Sequence, residues 1–180
     1  MSIQPSTIRS LPADTALVAL GANLPSPAGT PAETLRAALA ALAALSQAPL
    51  RCSCLYQSAP QDCPPGAPDF VNAVAMLTLD PATDPRALLE RLQALEARFG
   101  RRRSGVVNEA RTLDLDLLGF GERELCTPGL VLPHPRAAER AFVLRPLADL
   151  APALQLPGWP VSVQELLDGL PAHDLTPLSP

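Results

Sequence analysis

The sequence of 180 residues contains no lysine, so all 14 of its basic residues are arginines. A P-loop nucleotide-binding site requires a lysine on the β- and γ-phosphates, and Schiff-base catalysis requires a lysine amine. Both of these enzyme classes are therefore excluded. With 18 acidic residues the net charge is −4, whereas proteins that bind nucleic acids usually carry a basic excess. We accordingly expect no nucleic-acid partner.

Long hydrophobic runs are absent as well. The longest, residues 37–45, is much shorter than the ~20 residues that a membrane-spanning helix needs. The first fifteen residues contain no apolar block typical of a secretory signal. The four cysteines include no Cys-x-x-Cys pair, which favours reduced thiols over zinc ligands or disulfides. These features predict a cytoplasmic protein that does not bind membranes.

Hydrophobic residues make up 47% of the chain, which is enough for one core, and the length fits a single domain. We expect this domain to span residues 15–170. A flexible lead of residues 1–14 precedes it, and a loose tail of residues 171–180 follows it. No heptad pattern or excess of aromatic residues indicates an obligate oligomer, so we expect a monomer.

The hydrophobic pattern predicts the order strand, helix, strand, strand, helix, strand. The predicted strands are residues 15–20, 50–56, 70–79 and 112–120. The first helix begins with a capping box at Thr30 and ends near residue 45; the second begins at Asp84 and stops at Gly100. A short helix at about residues 137–142 and a last one opened by Ser162 follow. This order is typical of a ferredoxin-like α/β (α+β) fold, a mostly antiparallel sheet with helices packed on it.

Two acidic residues, Asp114 and Asp116, lie in the last predicted strand. Because side chains alternate along a strand, both carboxylates share one face, with Cα atoms ~6.6 Å apart. Such a pair can hold Mg²⁺ while leaving coordination positions for water and substrate phosphates. The alternative is a half-buried strand whose polar face simply meets water.

The segment before this strand, residues 100–111, contains four arginines and one glutamate. Guanidinium groups pair well with phosphate oxygens, and a loop can bring them to a bound triphosphate. Arginine-rich loops are also often merely solvated. A cationic loop that leads directly into an acidic strand nevertheless provides the two kinds of group that phosphoryl transfer requires.

Three further residues suit the binding of a planar heterocycle. Asn72 offers a donor and an acceptor side by side, and Phe70 and Phe142 are among only six aromatic residues in the chain.

His134 stands between two prolines and is therefore held in a rigid loop. Ordinary core packing of the rings and a purely structural histidine remain the alternatives.

Taken together, these motifs resemble the 6-hydroxymethyl-7,8-dihydropterin pyrophosphokinase family of folate biosynthesis. The resemblance covers about residues 16–157. It is carried by residues 18–24, 53–56, 70–73, 96–101, 111–118 and 133–144.

The resemblance implies a ferredoxin-like fold and transfer of pyrophosphate from ATP to the hydroxymethyl group of the pterin, which releases AMP. It also implies two Mg²⁺ ions bound by Asp114 and Asp116, with Arg101 and Arg111 as catalytic cations. The implied pterin-binding residues are Ser58, Phe70, Asn72 and Phe142. The implied ATP-binding residues are Gln93, Glu96, Arg103, His134 and Arg140.

The chain departs from the family pattern in its catalytic loop. Residues 107–111 read Val-Asn-Glu-Ala-Arg where the family commonly has Arg-Trp-Gly-Pro-Arg. A pseudo-enzyme that binds pterin or ATP without turnover is therefore one alternative. An RNA-recognition module shares the element order but needs aromatic residues where this chain has Asp114 and Asp116. A metal-dependent nuclease would need a third acidic ligand and an extended basic track.

Overall fold

A computed structural model describes residues 6–102, 109–171 and 174–178 of the chain. Its strands are β1 (Thr15–Ala22), β2 (Arg51–Cys52), β3 (Tyr56–Ser58), β4 (Phe70–Thr78), β5 (Asp114–Phe120), β6 (Leu125–Thr127), β7 (Leu130–Leu132) and β8 (Leu175–Pro177). Its α-helices are α1 (Pro31–Ala43), α2 (Pro85–Arg98), α3 (Ala141–Leu150) and α4 (Val163–Gly169). No helix within the described ranges has both the length and the apolar character needed to cross a bilayer.

The main sheet has the strand order β5-β1-β4-β3-β8, with β2 also paired to β4, and every pairing is antiparallel. This order confirms the predicted ferredoxin-like fold. The apolar residues of α1 and α2 pack on one face of the sheet, and those of α3 pack on the other. Because side chains alternate along each strand, the sheet carries one core on each face.

Local sequence signals account for the two helices on the first face. At the start of α1, the Thr30 side chain accepts a hydrogen bond from the Glu33 backbone and the Glu33 carboxylate accepts one from the Thr30 backbone. This is the predicted capping box. Asp84 caps α2 by accepting hydrogen bonds from the backbone N–H groups of Arg86 and Ala87.

The prediction of one continuous strand over residues 50–56 is wrong. The structure has two short strands, β2 and β3, and the regular pairing with β4 is interrupted between them, although the Ser53 N–H still donates to the Val74 carbonyl at 2.9 Å. The reason is Ser53, whose hydroxyl accepts a hydrogen bond of 3.0 Å from the Val74 N–H. A side chain thereby replaces the backbone carbonyl that would continue the pairing.

Three other segments differ from the predictions. Residues 137–142 comprise a 3₁₀ turn (Ala137–Glu139) and the first two residues of the longer helix α3, which continues through Pro146. The hairpin of β6 and β7 was not predicted. Within the tail expected to be loose, β8 pairs with β3, because the edge of β3 offers unpaired backbone groups.

Candidate active site

A cavity of about 250 Å³ opens on the α3 face of the sheet, where β1, β4 and β5 lie side by side. The strand register places Asn72 and Asp114 on either side of Gly21. Ten of the residues predicted from the sequence line this cavity: Ser58, Phe70, Asn72, Arg101, Arg111, Asp114, Asp116, His134, Arg140 and Phe142. The fold therefore gathers side chains that are up to 84 positions apart in the sequence, from Ser58 to Phe142.

Gly21 forms part of the cavity floor. A Cβ atom at this position would lie 3.5 Å from Oδ1 of Asn72 and 3.9 Å from Cβ of Asp114. These are ordinary contact distances, so the glycine is not required by backbone strain. Its effect is to leave space between the amide and the carboxylate.

Arg101 reaches the cavity through the way in which α2 ends. The N–H of Arg101 donates to the Glu96 carbonyl (3.0 Å), and the N–H of Gly100 donates to the Ala97 carbonyl (3.0 Å). Together with the positive φ of Gly100 (84°), these bonds form a Schellman motif. The chain turns sharply enough to place Arg101 beside Glu96 of its own helix.

The Arg101 guanidinium connects two carboxylates. Its Nη1 donates to Oε1 of Glu96 at 2.5 Å and also to Oδ1 of Asp114. The same Glu96 oxygen accepts a hydrogen bond from the Leu115 N–H at 2.8 Å. From the other side, Nη1 of Arg111 donates to Oδ2 of Asp114 at 2.6 Å. Asp114 is thus held between two arginines.

Asn23 holds Arg111 in place, a role that the sequence analysis did not predict. Its Oδ1 accepts a hydrogen bond from the Arg111 N–H at 2.7 Å, and its own N–H donates to the Arg111 carbonyl at 3.0 Å. The Arg111 guanidinium lies 5.6 Å from the centre of the Phe70 ring. An amide directly after a buried strand was the signal available in the sequence, because a buried polar side chain needs hydrogen-bond partners.

The two aspartates have opposite pKa shifts. Burial by itself would raise the pKa of Asp114, but the charges of Arg111 and Arg101 lower it below its ordinary value. Burial and the negative charge of Asp114 raise the pKa of Asp116, although His134 and Arg140 partly counteract them. The negative charge of Asp116 is therefore compensated less fully than that of Asp114.

The incompletely compensated negative charge of Asp116 fits a bound Mg²⁺ ion. Within the described part of the chain, no group of three or more His, Cys, Asp or Glu side chains could hold a metal. Two carboxylates are what Mg²⁺ commonly takes from a protein when phosphates and waters complete its shell. Asp114 and Asp116 therefore suit an ion that arrives with a nucleotide better than a permanently bound structural metal.

His134 is oriented by its own backbone loop. Its N–H donates to the Leu118 carbonyl at 2.9 Å, and its Nδ1 accepts a hydrogen bond from the Arg136 N–H at 3.3 Å. Burial lowers the pKa of His134, although Asp116 opposes this effect, so the ring is neutral at pH 7. With Nδ1 as the acceptor, the proton is on Nε2.

The remaining predicted pterin contacts line the same cavity. Nδ2 of Asn72 donates to Oγ of Ser58 at 2.9 Å across the β3–β4 pair. Phe70 begins β4 and Phe142 lies in the first turn of α3. The Arg140 guanidinium lies 5.4 Å from the centre of the Phe142 ring.

A second cleft of about 320 Å³ adjoins the first. It contains Gln93 and Glu96 from α2, and it shares Asp116 and His134 with the first cavity. Of the predicted ATP-binding residues, Arg140 lines the first cavity instead, and Arg103 lies outside the described residues. The two spaces therefore meet at Asp116 and His134.

Some residues that line the first cavity were not predicted, among them Gln61, Cys63 and Arg136. Arg136 is close enough to lower the pKa of both Arg140 and His134. Its position directly after the rigid Pro-His-Pro segment was a signal that could have been used. It adds positive charge at the edge of the cavity.

Comparison with known proteins of similar sequence indicates one enzyme family. Residues 17–152 match the model of the 7,8-dihydro-6-hydroxymethylpterin-pyrophosphokinase family. The chain is 48% identical over 141 residues to the 2-amino-4-hydroxy-6-hydroxymethyldihydropteridine pyrophosphokinase of Pseudomonas aeruginosa, covering 78% of this chain and 82% of that protein. The Haemophilus influenzae protein of the same name is 39% identical over 92% of this chain and 99% of its own length.

Solved structures support the fold. The crystal structure of Plasmodium falciparum HPPK-DHPS A437G with SDX-DHP superposes with a TM-score of 0.67 at 13% identity. The match covers 86% of this chain, which spans less than half (45%) of the Plasmodium chain. The resemblance seen in the motifs is thus confirmed, and with it the assignment as an ATP-dependent diphosphokinase. The chain belongs to the 7,8-dihydro-6-hydroxymethylpterin-pyrophosphokinase family.

Proposed function

We propose that this protein transfers the pyrophosphoryl group of ATP to the hydroxymethyl group of 6-hydroxymethyl-7,8-dihydropterin, giving the pterin diphosphate and AMP in folate biosynthesis. The observation that carries the proposal is the meeting of two differently lined spaces at Asp116 and His134. One space has an amide and two phenylalanine rings, and the other lies beside α2. A heterocycle in the first and a nucleotide in the second would bring their reacting groups together at this junction.

The pterin would occupy the first cavity. Its fused ring would stack between Phe70 and Phe142, and the Asn72 amide would form hydrogen bonds with the ring edge. Ser58 already accepts a hydrogen bond from Nδ2 of Asn72, which fixes the orientation of the amide. Oδ1 of Asn72 then remains directed at the space above Gly21, as its 3.5 Å distance from a Cβ position there shows.

ATP would bind with its adenosine part in the second cleft beside Gln93 and Glu96 and its phosphates at the junction. His134 suits a phosphate oxygen, because its Nε2–H is a donor while its Nδ1 is occupied. Arg140 would contribute positive charge from the first cavity. We include Arg103 in this set from the family resemblance alone.

Asp114 and Asp116 would hold two Mg²⁺ ions, which would supply positive charge against the phosphates of ATP. In the structure the Asp114 carboxylate is shared by Arg101 and Arg111. A Mg²⁺ ion on this carboxylate would compete with both arginines for it, so that their guanidinium groups would be available to the transferred group. Their release toward the phosphates is the role that we assign to this pair.

In the reaction the hydroxymethyl oxygen of the pterin attacks the β-phosphorus of ATP. A bond forms between that oxygen and the β-phosphorus, and the bond from the β-phosphorus to the oxygen of the α-phosphate breaks. The pterin hydroxyl loses its proton to solvent, and AMP leaves with the bridging oxygen. The chain contributes alignment and positive charge, which are the main requirements of phosphoryl transfer.

The test is product analysis by ³¹P NMR with ATP, Mg²⁺ and the pterin, each omitted in turn as a control. AMP together with a pterin diphosphate supports the proposal. ADP would show that a different phosphorus is attacked. Binding of both substrates without turnover would favour the pseudo-enzyme alternative, for which the departure in residues 107–110 is the reason. Absence of binding would overturn the proposal.

A further inference from the structure

Helix α3 carries Phe142 in a first turn that lacks two usual constraints. Among the residues that the structure describes, no side chain caps the helix at Arg140. Pro146, four positions after Phe142, has no N–H with which to donate to the Phe142 carbonyl. The position of this turn therefore depends more than usual on contacts with the rest of the protein.

A triad of polar side chains links α3 to the sheet one to two turns further along. The buried hydroxyl of Tyr56, on β3, donates to the Asp149 carboxylate, at 2.9 Å from Oδ2 and 3.1 Å from Oδ1. Nε of Arg145 donates to the same hydroxyl at 3.3 Å, and Nη2 of Arg145 donates to Oδ1 of Asp149 at 3.3 Å. The three side chains thus form a closed set of hydrogen bonds.

The triad is connected to both sides of the proposed pterin site. Phe142, Arg145 and Asp149 are spaced i, i+3 and i+7, so they share one face of α3. On the sheet, Tyr56 lies directly opposite Asn72 in the β3–β4 register. Opposite residues of an antiparallel pair point to the same face, so the hydroxyl projects from the site's own face of the sheet.

We propose that Tyr56, Arg145 and Asp149 are positioning residues, which hold Phe142 at the correct distance and angle from Phe70 and Asn72 for a planar pterin to fit between them. The inference rests on the proposed function and extends it to residues outside the cavity. None of the three touches the substrate in this arrangement. They act through the placement of the first turn of α3.

A merely stabilising triad would give a different result from a positioning one. Loss of stability alone lowers the folded fraction, which reduces the apparent kcat and leaves the affinities for both substrates unchanged. Loss of positioning weakens pterin binding while the nucleotide cleft beside α2 keeps its shape. The ratio of the two substrate affinities separates these cases.

The experiment compares Tyr56→Phe and Asp149→Asn with the wild-type protein. We expect the KM and the calorimetric Kd for the pterin to rise about five- to tenfold in each variant, which is the size of effect that loss of one typical hydrogen bond has. The KM for ATP should stay within about twofold. The double variant should be no worse than either single variant, because the residues act as one unit.

Asp168→Asn serves as the matched control. Asp168 accepts a hydrogen bond from Gln164 at 2.8 Å in the same i, i+4 relation, but on α4 and remote from the site. This variant should leave both affinities unchanged. Circular dichroism confirms that each variant is folded, and Asp149→Asn decides the question if Tyr56→Phe does not fold.

An unchanged pterin Kd in folded variants, or an equal rise of both KM values, would overturn the inference while leaving the proposed function intact. If the wild-type protein binds pterin but forms no AMP, the pterin Kd comparison still decides the role of the triad. If the wild-type protein binds no pterin, both proposals fail.

Discussion

The two aspartates of β5 differ in what they contribute to the folded protein. The ionised Asp116 is disfavoured by burial and by the charge of Asp114, which raise its pKa. A raised pKa means that its contribution to the free energy of unfolding declines as the pH rises above 3.8, so at pH 7 the charge is a cost. The ionised Asp114 is favoured by its two arginine partners, which lower its pKa, so at pH 7 its charge adds to the free energy of unfolding.

Asp116→Asn should therefore separate function from stability. We expect AMP formation to fall by about 10³-fold or more, because the variant loses a proposed Mg²⁺ ligand. The free energy of unfolding without metal should be unchanged or higher by about 1 kcal/mol, since an amide of similar shape removes the buried charge. Chemical denaturation and ³¹P product analysis measure the two effects. Retained turnover would contradict the metal assignment.

Asp114→Asn should instead destabilise the protein. It leaves Arg101 and Arg111 facing each other without their shared carboxylate, at a cost of about 2 kcal/mol. Because the folded pKa is lowered, the stabilisation is present above pH 3.8 and disappears as the pH falls below it.

The comparison for Asp114 is made in the Asp116→Asn background, which removes the opposing titration of the neighbouring residue. Between pH 6 and pH 3 the Asp116→Asn protein, which keeps Asp114, should lose more unfolding free energy than the variant that carries both substitutions. If the free energy of unfolding changed with pH in the same way in both proteins, the pairing of Asp114 with the two arginines would not contribute to stability.

Gly21 offers a third test at this scale. Alanine fits at ordinary contact distances, so Gly21→Ala should fold normally. Its methyl group would occupy space between Asn72 and Asp114 and should weaken pterin binding about tenfold while ATP binding stays within about twofold. Gly169→Ala is the control, because the new Cβ would meet no atom within 4 Å apart from its chain neighbours and the backbone of its own helix. Unchanged pterin affinity would place the substrate elsewhere.

At the scale of elements, the end of α2 is the feature that couples folding to the site. Gly100→Ala forces a side chain into a left-handed conformation (φ 84°) and should cost about 1–2 kcal/mol. We expect kcat to fall as well, because Arg101 follows directly. Gly158→Ala imposes a comparable strain (φ 73°) away from the site and should lower stability alone. Equal kcat values in the two variants would contradict this link.

The elements also show what the sequence could predict. Helix N-caps and strand-like hydrophobic runs correctly located α1, α2, β4 and β5, because those signals are local. The hairpin of β6 and β7 was missed although Pro128-Gly129 is a recognisable turn signal. The extent of α3 was missed because Pro146 suggests a helix end, whereas packing of the helix against the sheet keeps it intact.

The arrangement of the candidate site could be predicted where it depends on residues that are close together in the sequence. Asp114 and Asp116 share a face by strand alternation alone. The pairing of Asp114 with Arg101 and Arg111 was not predictable. It depends on the turn after α2, which places Arg101, and on the hydrogen bond between Asn23 and the Arg111 backbone, which places Arg111. The Tyr56 triad likewise requires the register of β3 against β4 and the rotation of α3.

At the scale of the whole molecule, the two cavities share a junction, which raises the question of whether the group is transferred directly or through the protein. Asp116 and His134 line both spaces, and because Asp116 is the proposed metal ligand, His134 is the residue to consider as a carrier of the pyrophosphoryl group. Its Nδ1, however, accepts a hydrogen bond from the Arg136 N–H, and in the neutral ring the proton is then on Nε2. Neither nitrogen has a free lone pair to attack phosphorus.

We therefore expect direct transfer within a complex that contains both substrates. Initial rates measured at several ATP and pterin concentrations should give intersecting double-reciprocal lines. ATP labelled at the β-phosphorus should leave no label on the protein when pterin is omitted. His134→Gln, whose amide retains a donor, should keep part of the turnover, whereas a covalent carrier could not be replaced. Parallel lines together with a labelled protein would instead show that His134 carries the group between the two cavities.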